Sequence, residues 1–204
     1  MTTENLFEQL KHPNPNLRER AMFAIAESYD QDTIVRLMSI LDEEDVIYRR
    51  AAVKTLGIVG SDAVPHLVEA LLGSNNVTVR GSAAKALAQI AVNYPEMSFP
   101  EAGLQGLKAA LNDSNPVVYI AAVMALGEIG VPALEILLES LRTTDNVAVQ
   151  VTIVNTLASV GDQRCVEVLT ELAQDESVDT YVREMANSSL SRLELVVNFN
   201  RSPD

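Results

Sequence analysis

Apolar residues recur at steps of three and four along most of the chain, which is the period of an amphipathic α-helix. Short segments such as TIVRLMSILD and VPALEILLESLR show this spacing, and in each case a polar turn leads into a second apolar segment. Since no window shows sustained two-residue alternation, we expect no β-sheet. The pattern therefore predicts an all-α chain in which the helices come in pairs.

The second segment of each pair repeats one sequence. Clear copies are EDVIYRRAAVKTLGIVG at 44–60, NNVTVRGSAAKALAQIA at 75–91, SNPVVYIAAVMALGEIG at 114–130 and DNVAVQVTIVNTLASVG at 145–161, and weaker ones lie at 13–29 and 178–194. The place of Arg49 in its copy, termed the ruler position, is occupied in the six copies by Arg18, Arg49, Arg80, Tyr119, Gln150 and Arg183. The predicted repeats span 2–30, 31–60, 61–93, 99–130, 131–161 and 162–197, with an insertion at 93–100.

Both ends of the second helices carry capping signals. Four residues before the ruler position, every copy has an Asn or Asp, whose side-chain oxygen accepts a backbone N–H at a helix N-terminus. These residues are Asn14, Asp45, Asn76, Asn115, Asn146 and Asp179. Glycines in the position of a C-terminal cap are Gly60, Gly130 and Gly161.

Helix pairs that cannot bury their apolar faces alone must stack on their neighbours. We therefore predict a right-handed α-solenoid of about six two-helix HEAT-like repeats, forming a single domain over residues 1–204. An arginine at the ruler position lies in the first turn of its helix, from where it reaches towards the Asp or Asn that starts a neighbouring repeat. This predicts a structural ladder made of Arg18, Arg49, Arg80 and Arg183.

The form VxVRxxAAxALxxIG resembles the short HEAT-like repeats of the cyanobacterial phycobilisome lyase family. It is carried by Val77, Val79, Arg80, Ala83, Ala84, Ala86 and Leu87, and again by Ala121, Ala122, Ala125, Leu126, Gly127, Glu128, Ile129 and Gly130. The resemblance implies a bilin lyase or isomerase subunit, or a related chaperone, that handles phycobiliproteins or their bilins. It also implies a protein partner, either a phycobiliprotein subunit or a second HEAT-repeat subunit. The alternative within the same resemblance is a non-enzymatic adaptor, for example in iron–sulfur cluster assembly with an assembly protein as partner.

Function in solenoids usually lies on the concave face built by the second helices, so the outward stripe of those helices is the candidate binding surface. The stripe carries basic residues in repeats two and three, namely Arg50, Lys54 and Lys85. It turns apolar in repeats four and five, at Ile120, Met124 and Val151, with Tyr119 behind it. Apolar and basic patches side by side suit an open-chain tetrapyrrole with two propionates, or a helix of a phycobiliprotein. The other interpretation is that these apolar residues pack against neighbouring repeats.

Charge and composition narrow the function further. The net charge of -13 disfavours nucleic acid, whose phosphates need a basic footprint. The polar start of the chain, the lack of an apolar run of about 18 residues and the single cysteine indicate a cytoplasmic protein without membrane insertion.

Candidate catalytic chemistry is sparse. His12 and His66 have no second ligand at a metal-binding spacing, and Cys165 has the apolar neighbours of a core residue. We predict no metal site and no intrinsic cofactor, with any bilin bound transiently. The sequence contains no self-sufficient catalytic set, so a lyase activity is implied by the resemblance alone.

Overall fold

The protein is described here by a computed structural model, which covers residues 2–201 and the side chains of residues 2–195. The described chain is a succession of helices without strands. The helices are α1 (Thr3–Gln9), α2 (Pro15–Glu27), α3 (Gln31–Ser39), α4 (Val46–Val59), α5 (Val64–Gly73), α6 (Val77–Asn93), α7 (Glu101–Ala110), α8 (Pro116–Ile129), α9 (Leu134–Thr143), α10 (Val147–Val160), α11 (Gln163–Gln174) and α12 (Thr180–Arg201). Odd-numbered helices are the first members of the pairs and even-numbered helices the second.

The chain divides into two compact units, one up to Ala125 and one from Leu126 onwards. In the first unit the second helices α2, α4 and α6 pack side by side, and the first helices α3, α5 and α7 form a parallel layer. In the second unit α10 packs on α12, and α12 on α11. Buried aliphatic side chains fill the space between the paired helices, among them Leu56 and Leu87 in the first unit and Leu157 and Leu169 in the second.

The capping predictions are confirmed. All six predicted N-cap side chains accept a backbone N–H from the first turn of their helix, for example Asn115 from Val117 at 2.9 Å and Asp179 from Tyr181 at 2.8 Å. The three predicted glycines have positive φ, at 84° for Gly60, 75° for Gly130 and 73° for Gly161. A side chain at these positions would strain the backbone, so glycine fixes where each helix ends.

Replacing the N-cap Asn115 with alanine leaves the amide of Val117 without its acceptor, and we expect a loss of about 1 kcal/mol in the free energy of unfolding. Chemical denaturation followed by far-UV circular dichroism measures this loss. Asn112→Ala is the matched control, because Asn112 is exposed in the same turn and no described hydrogen bond involves its side chain. Equal losses in the two variants would show that the cap contributes nothing.

The ruler side chains mostly close their own turn, which corrects the ladder prediction. Four of the six donate to the backbone carbonyl six residues earlier: Arg18 to His12, Arg49 to Glu43, Arg80 to Ser74 and Gln150 to Thr144. These carbonyls lie in the turn before the helix and lack a helical partner, so they can accept a hydrogen bond from the ruler side chain. Arg183 differs, since its buried Nε has no partner among the described residues.

Arg80 is the ruler residue for which the structure shows the predicted link to the next repeat. Its Nε and Nη2 donate to the two carboxylate oxygens of Asp113 at 2.8 and 3.1 Å. Both side chains are largely buried, with exposed fractions of 14% and 13%. The ion pair holds the pKa of Asp113 below its usual range, through the hydrogen bond from Arg80 first and its positive charge in addition.

The predicted insertion at 93–100 is packed within the first unit. The Tyr94 hydroxyl donates to the carbonyl of Ile58, and Phe99 is buried. A Cβ on Gly103 would lie 2.6 Å from the Phe99 ring, so this glycine makes room for it. The insertion therefore joins α6 to α7 as an ordered connection.

Candidate functional site

The second helix α4 buries the face that was predicted as core and exposes the face that was predicted as the outward stripe. In α4 the predicted core residues Tyr48, Ala52, Leu56 and Val59 are all buried. On the opposite side Arg50 and Lys54 are exposed. The three- and four-residue spacing therefore gave the correct orientation of this helix.

A groove of about 480 Å³ lies on this outward side within the first unit. Three second helices line it: α2, α4 and the end of α6. The lining side chains that belong to the outward stripe are Glu19, Phe23, Ile47, Arg50, Lys54, Ile58 and Gln89. The volume falls within the range of small-molecule sites, about 300–1,000 Å³.

The groove combines apolar surface with cations that have no anion of their own. Phe23 and Ile47 are 50% and 46% exposed. Within the described part of the chain, Arg50 and Lys54 form no ion pair, although the protein has 28 acidic residues. Neither α4 nor α6 contains an Asp or Glu. Acidic side chains are thus kept off the two helices that present the basic stripe.

Part of the groove was not predicted as a site from the sequence. The outward stripe of repeats one and two includes Glu19, Phe23 and Ile47. Their position on this stripe is the sequence signal that could have identified them as groove residues. Arg18 also lines the groove, in addition to closing its turn. Lys85, predicted with Arg50 and Lys54, is exposed on α6 but does not line the groove.

A second exposed surface lies on α8 in the first unit and is apolar. Val117, Ile120 and Met124 are 52%, 38% and 58% exposed, so they do not belong to the core. A Cβ on Gly81 would lie 3.3 Å from Val117, which places this end of α8 directly against α6. Tyr119, predicted to lie behind this surface, is 7% exposed and faces the core. We refer to Val117, Ile120 and Met124 as the α8 face.

Val151 belongs to the second unit, where it lies half-buried on α10. No charged residue occurs in α10, whose sequence is VAVQVTIVNTLASV. One helical turn further along α10, Asn155 accepts a hydrogen bond from Arg192 of α12 at 2.7 Å. Val151 therefore stands on a neutral helix surface with limited exposure.

His12, His66 and Cys165 lie in local environments that belong to the fold. Nδ1 of His12 accepts the amide of Asn14, and Nε2 of His66 lies 3.2 Å from the side-chain oxygen of Gln31. Cys165 is fully buried, and burial raises its pKa to about 11, so the thiol stays protonated at neutral pH. Across the described residues, no group of three or more His, Cys, Asp or Glu side chains is placed to hold a metal ion.

The stretch Val46–Gly73 has the length and apolar composition of a membrane-spanning helix, and 44% of its most apolar 18 residues are buried in the protein. The stretch contains α4, a 3₁₀ turn at Gly60–Ala63 and α5. Gly60, with a φ of 84°, interrupts it. The two helices are therefore separate elements of the fold.

Comparison with known proteins identifies the repeat class. The family profile of HEAT repeats matches residues 3–88 and 104–192, which is most of the chain. A designed armadillo repeat protein in complex with a (KR)4 peptide matches with a TM-score of 0.50 at 19% identity, covering 95% of this chain and all of that one. These matches confirm the predicted all-α solenoid of two-helix HEAT-like repeats.

Two relatives define the family more closely. "Uncharacterized phycocyanin operon protein Z" of Pseudanabaena tenuis (strain PCC 7409) is 56% identical, covering 99% of this chain and all of its own. "Bilin biosynthesis protein CpeZ" of Synechococcus sp. (strain WH8020) is 32% identical, covering 84% of this chain and 95% of its own. The complex of CpcE and CpcF of phycocyanin lyase from Nostoc sp. PCC7120 matches with a TM-score of 0.49 at 20% identity, covering 76% of this chain and 96% of that one. The chain belongs to the family of HEAT-repeat proteins that includes phycocyanin operon protein Z and bilin biosynthesis protein CpeZ.

Proposed function

We propose that this protein is a HEAT-repeat binding protein that handles phycobiliproteins or their bilin chromophores through the outward face of its second helices. The groove between α2, α4 and α6 is the observation that carries the proposal. It joins exposed apolar side chains to two cations, Arg50 and Lys54, that have no ion-pair partner in the described chain.

An open-chain tetrapyrrole matches this combination. Its rings are flat and apolar and suit Phe23 and Ile47, while its two propionates suit Arg50 and Lys54. An arginine binds a carboxylate through two parallel N–H groups, and a lysine binds it as a point charge. The groove is open to solvent rather than enclosed by the protein, since Arg50, Lys54, Phe23 and Ile47 are exposed. This favours transient holding of a bilin that is passed on.

The α8 face supports a protein partner beside the bilin. Contiguous exposed apolar side chains on a protein of this size usually mark an interaction surface. The names of the two relatives refer to the phycocyanin operon and to bilin biosynthesis, so the proposed partner is a phycobiliprotein subunit. A second HEAT-repeat subunit is the other partner that the family suggests. Neither relative's name refers to iron–sulfur assembly, and the adaptor alternative is not favoured.

The test is an absorption titration of phycocyanobilin with the purified protein and with the variant Arg50→Glu. Wild type is expected to change the visible spectrum of the bilin in a saturable way. The variant replaces a propionate-binding cation with a repelling anion, and we expect its dissociation constant to rise about tenfold or more, which corresponds to ~1.4 kcal/mol.

Arg142→Glu is the matched control for Arg50→Glu. Arg142 is an exposed arginine on α9, the first helix of its pair, and does not line the groove. It reproduces the change in net charge without changing the groove. If wild type leaves the spectrum unchanged, both alone and with a phycobiliprotein subunit present, the proposal fails. If the two variants weaken bilin binding equally, the groove is not the binding site.

A further inference from the structure

We propose that Glu19 sets the protonation state of the bilin in the groove, by accepting hydrogen bonds from the pyrrole N–H groups and holding the tetrapyrrole as its cation. The inference rests on the proposed function, since it requires a bilin in this groove. It goes further because it assigns to Glu19 an effect on the pKa of the bound bilin, which is separate from the affinity that the propionates provide.

Glu19 is the acidic residue among those that line the groove. It is exposed on α2, and the described residues give it no hydrogen bond or ion pair, although Arg50 and Lys54 line the same groove. A carboxylate left unpaired beside two cations remains available to a ligand that brings donors. The groove thus offers separate positive and negative groups on one surface.

The bilin has two kinds of polar group. The propionates are anionic acceptors, and the ring nitrogens are donors along the other edge of the molecule. Arginine and lysine side chains can bind the propionates, but they cannot accept a hydrogen bond from a ring N–H group, whereas an ionised carboxylate can. From α6 the groove receives Gln89 and Asn93, which are neutral. Glu19 is therefore the group whose charge favours a protonated ring system.

The other charges that line the groove with Glu19 are positive, and they disfavour a protonated ring system until the propionates are bound. They are Arg18 on its own helix and Arg50 and Lys54 on α4. Arg18 also donates to the carbonyls of His12 and Pro13. The two propionates of a bound bilin offset two of the three cations, so the negative charge of Glu19 acts on the nitrogens. The ring system takes its additional proton from solvent, and no covalent bond to carbon forms or breaks.

The experiment is a pH titration of the phycocyanobilin complex, followed through the red-shifted, more intense band of the protonated bilin. In the variant Glu19→Gln the midpoint is expected to fall by about one pH unit, because an opposite charge nearby moves a pKa by 1–3 units and this site is open to water. Above both midpoints, where the bilin is neutral, wild type and variant are expected to bind it equally.

Glu27→Gln is the control, since Glu27 is exposed on the same helix and does not line the groove. Its complex is expected to titrate like wild type. A bilin that binds with the same midpoint in wild type and Glu19→Gln overturns this inference and leaves the proposed function standing. An equal shift in Glu27→Gln also overturns it. Failure of wild type to bind bilin overturns both proposals.

Discussion

Replacing Arg80 with alanine is expected to lower the free energy of unfolding by about 2–3 kcal/mol. The change removes both hydrogen bonds to Asp113 and the bond to the carbonyl of Ser74. It leaves Asp113 mostly buried, with one remaining bond from the amide of Asn115. Losing one member of a buried pair is costly because the other charge stays without compensation. Urea denaturation measures the loss.

Arg49→Ala is the control for Arg80→Ala, since Arg49 has the same place in its repeat but bonds only to the carbonyl of Glu43 among the described residues. We expect a loss of about 1 kcal/mol for it. If the two variants lose the same amount, the link between repeats contributes nothing to stability.

The Arg80–Asp113 pair also predicts a pH dependence. The pKa of Asp113 is lowered in the folded protein, so its contribution is fully present above the unfolded value, near 4. The contribution is lost as the pH falls through the lower, folded pKa. Stability of the wild type is therefore expected to decline more steeply below pH ~4 than that of Arg80→Ala. Parallel declines in thermal melts over this range would contradict the prediction.

Changing Ile120 and Met124 together to aspartate is expected to weaken binding of a phycobiliprotein subunit about a hundredfold or more. The two side chains are 38% and 58% exposed, and a partner that covers them would have to desolvate two unpaired carboxylates. Because the positions are exposed, the melting temperature is expected to change by only a few degrees. Isothermal titration calorimetry with the subunit measures the affinity.

The matched control is the pair Val35→Asp and Leu72→Asp, which lie on α3 and α5 in the layer of first helices. They are 56% and 53% exposed, so the control makes the same chemical change on another surface. It is expected to leave the affinity unaltered. A folded Ile120/Met124 variant that binds the subunit as tightly as wild type would exclude the α8 face as a docking site.

The repeats and their caps were predictable because they depend on local chemistry. An Asn or Asp four residues before the ruler position has few alternatives to capping, and a glycine at Gly60 or Gly130 permits a positive φ that other residues resist. The orientation of α4 followed from spacing for the same reason. These features involve residues within one helix or one turn.

The partners of the arginines were harder to predict because an arginine side chain is long enough to reach two acceptors. From the first turn of α2 or α4, a turn carbonyl of its own repeat and a residue of the next repeat are both within reach, and the sequence does not give the distances. Arg18 and Arg49 take the carbonyl. Arg80 takes both, because the next repeat supplies the carboxylate of Asp113.

The groove was predicted only in part, since a stripe on one helix does not show how neighbouring helices enclose a volume. Arg50 and Lys54 line it, whereas Lys85 of the same stripe lies outside. Tyr119 was predicted to lie behind the apolar surface, and its side chain is packed in the core, out of reach of a ligand on that surface. Whether a position one residue from the core faces inwards depends on the packing of the adjacent helices, which a single sequence does not specify.

The turns closed by their own ruler side chains affect how the chain folds during synthesis. A helix pair whose arginine bonds to its own turn, as with Arg18 and Arg49, has that contact complete once the pair has left the ribosome. The full set of bonds of Arg80 has to wait for Asp113, which is made 33 residues later. We expect repeat three to gain its final protection against proteolysis only when the fourth repeat emerges, whereas the first two settle in step with translation.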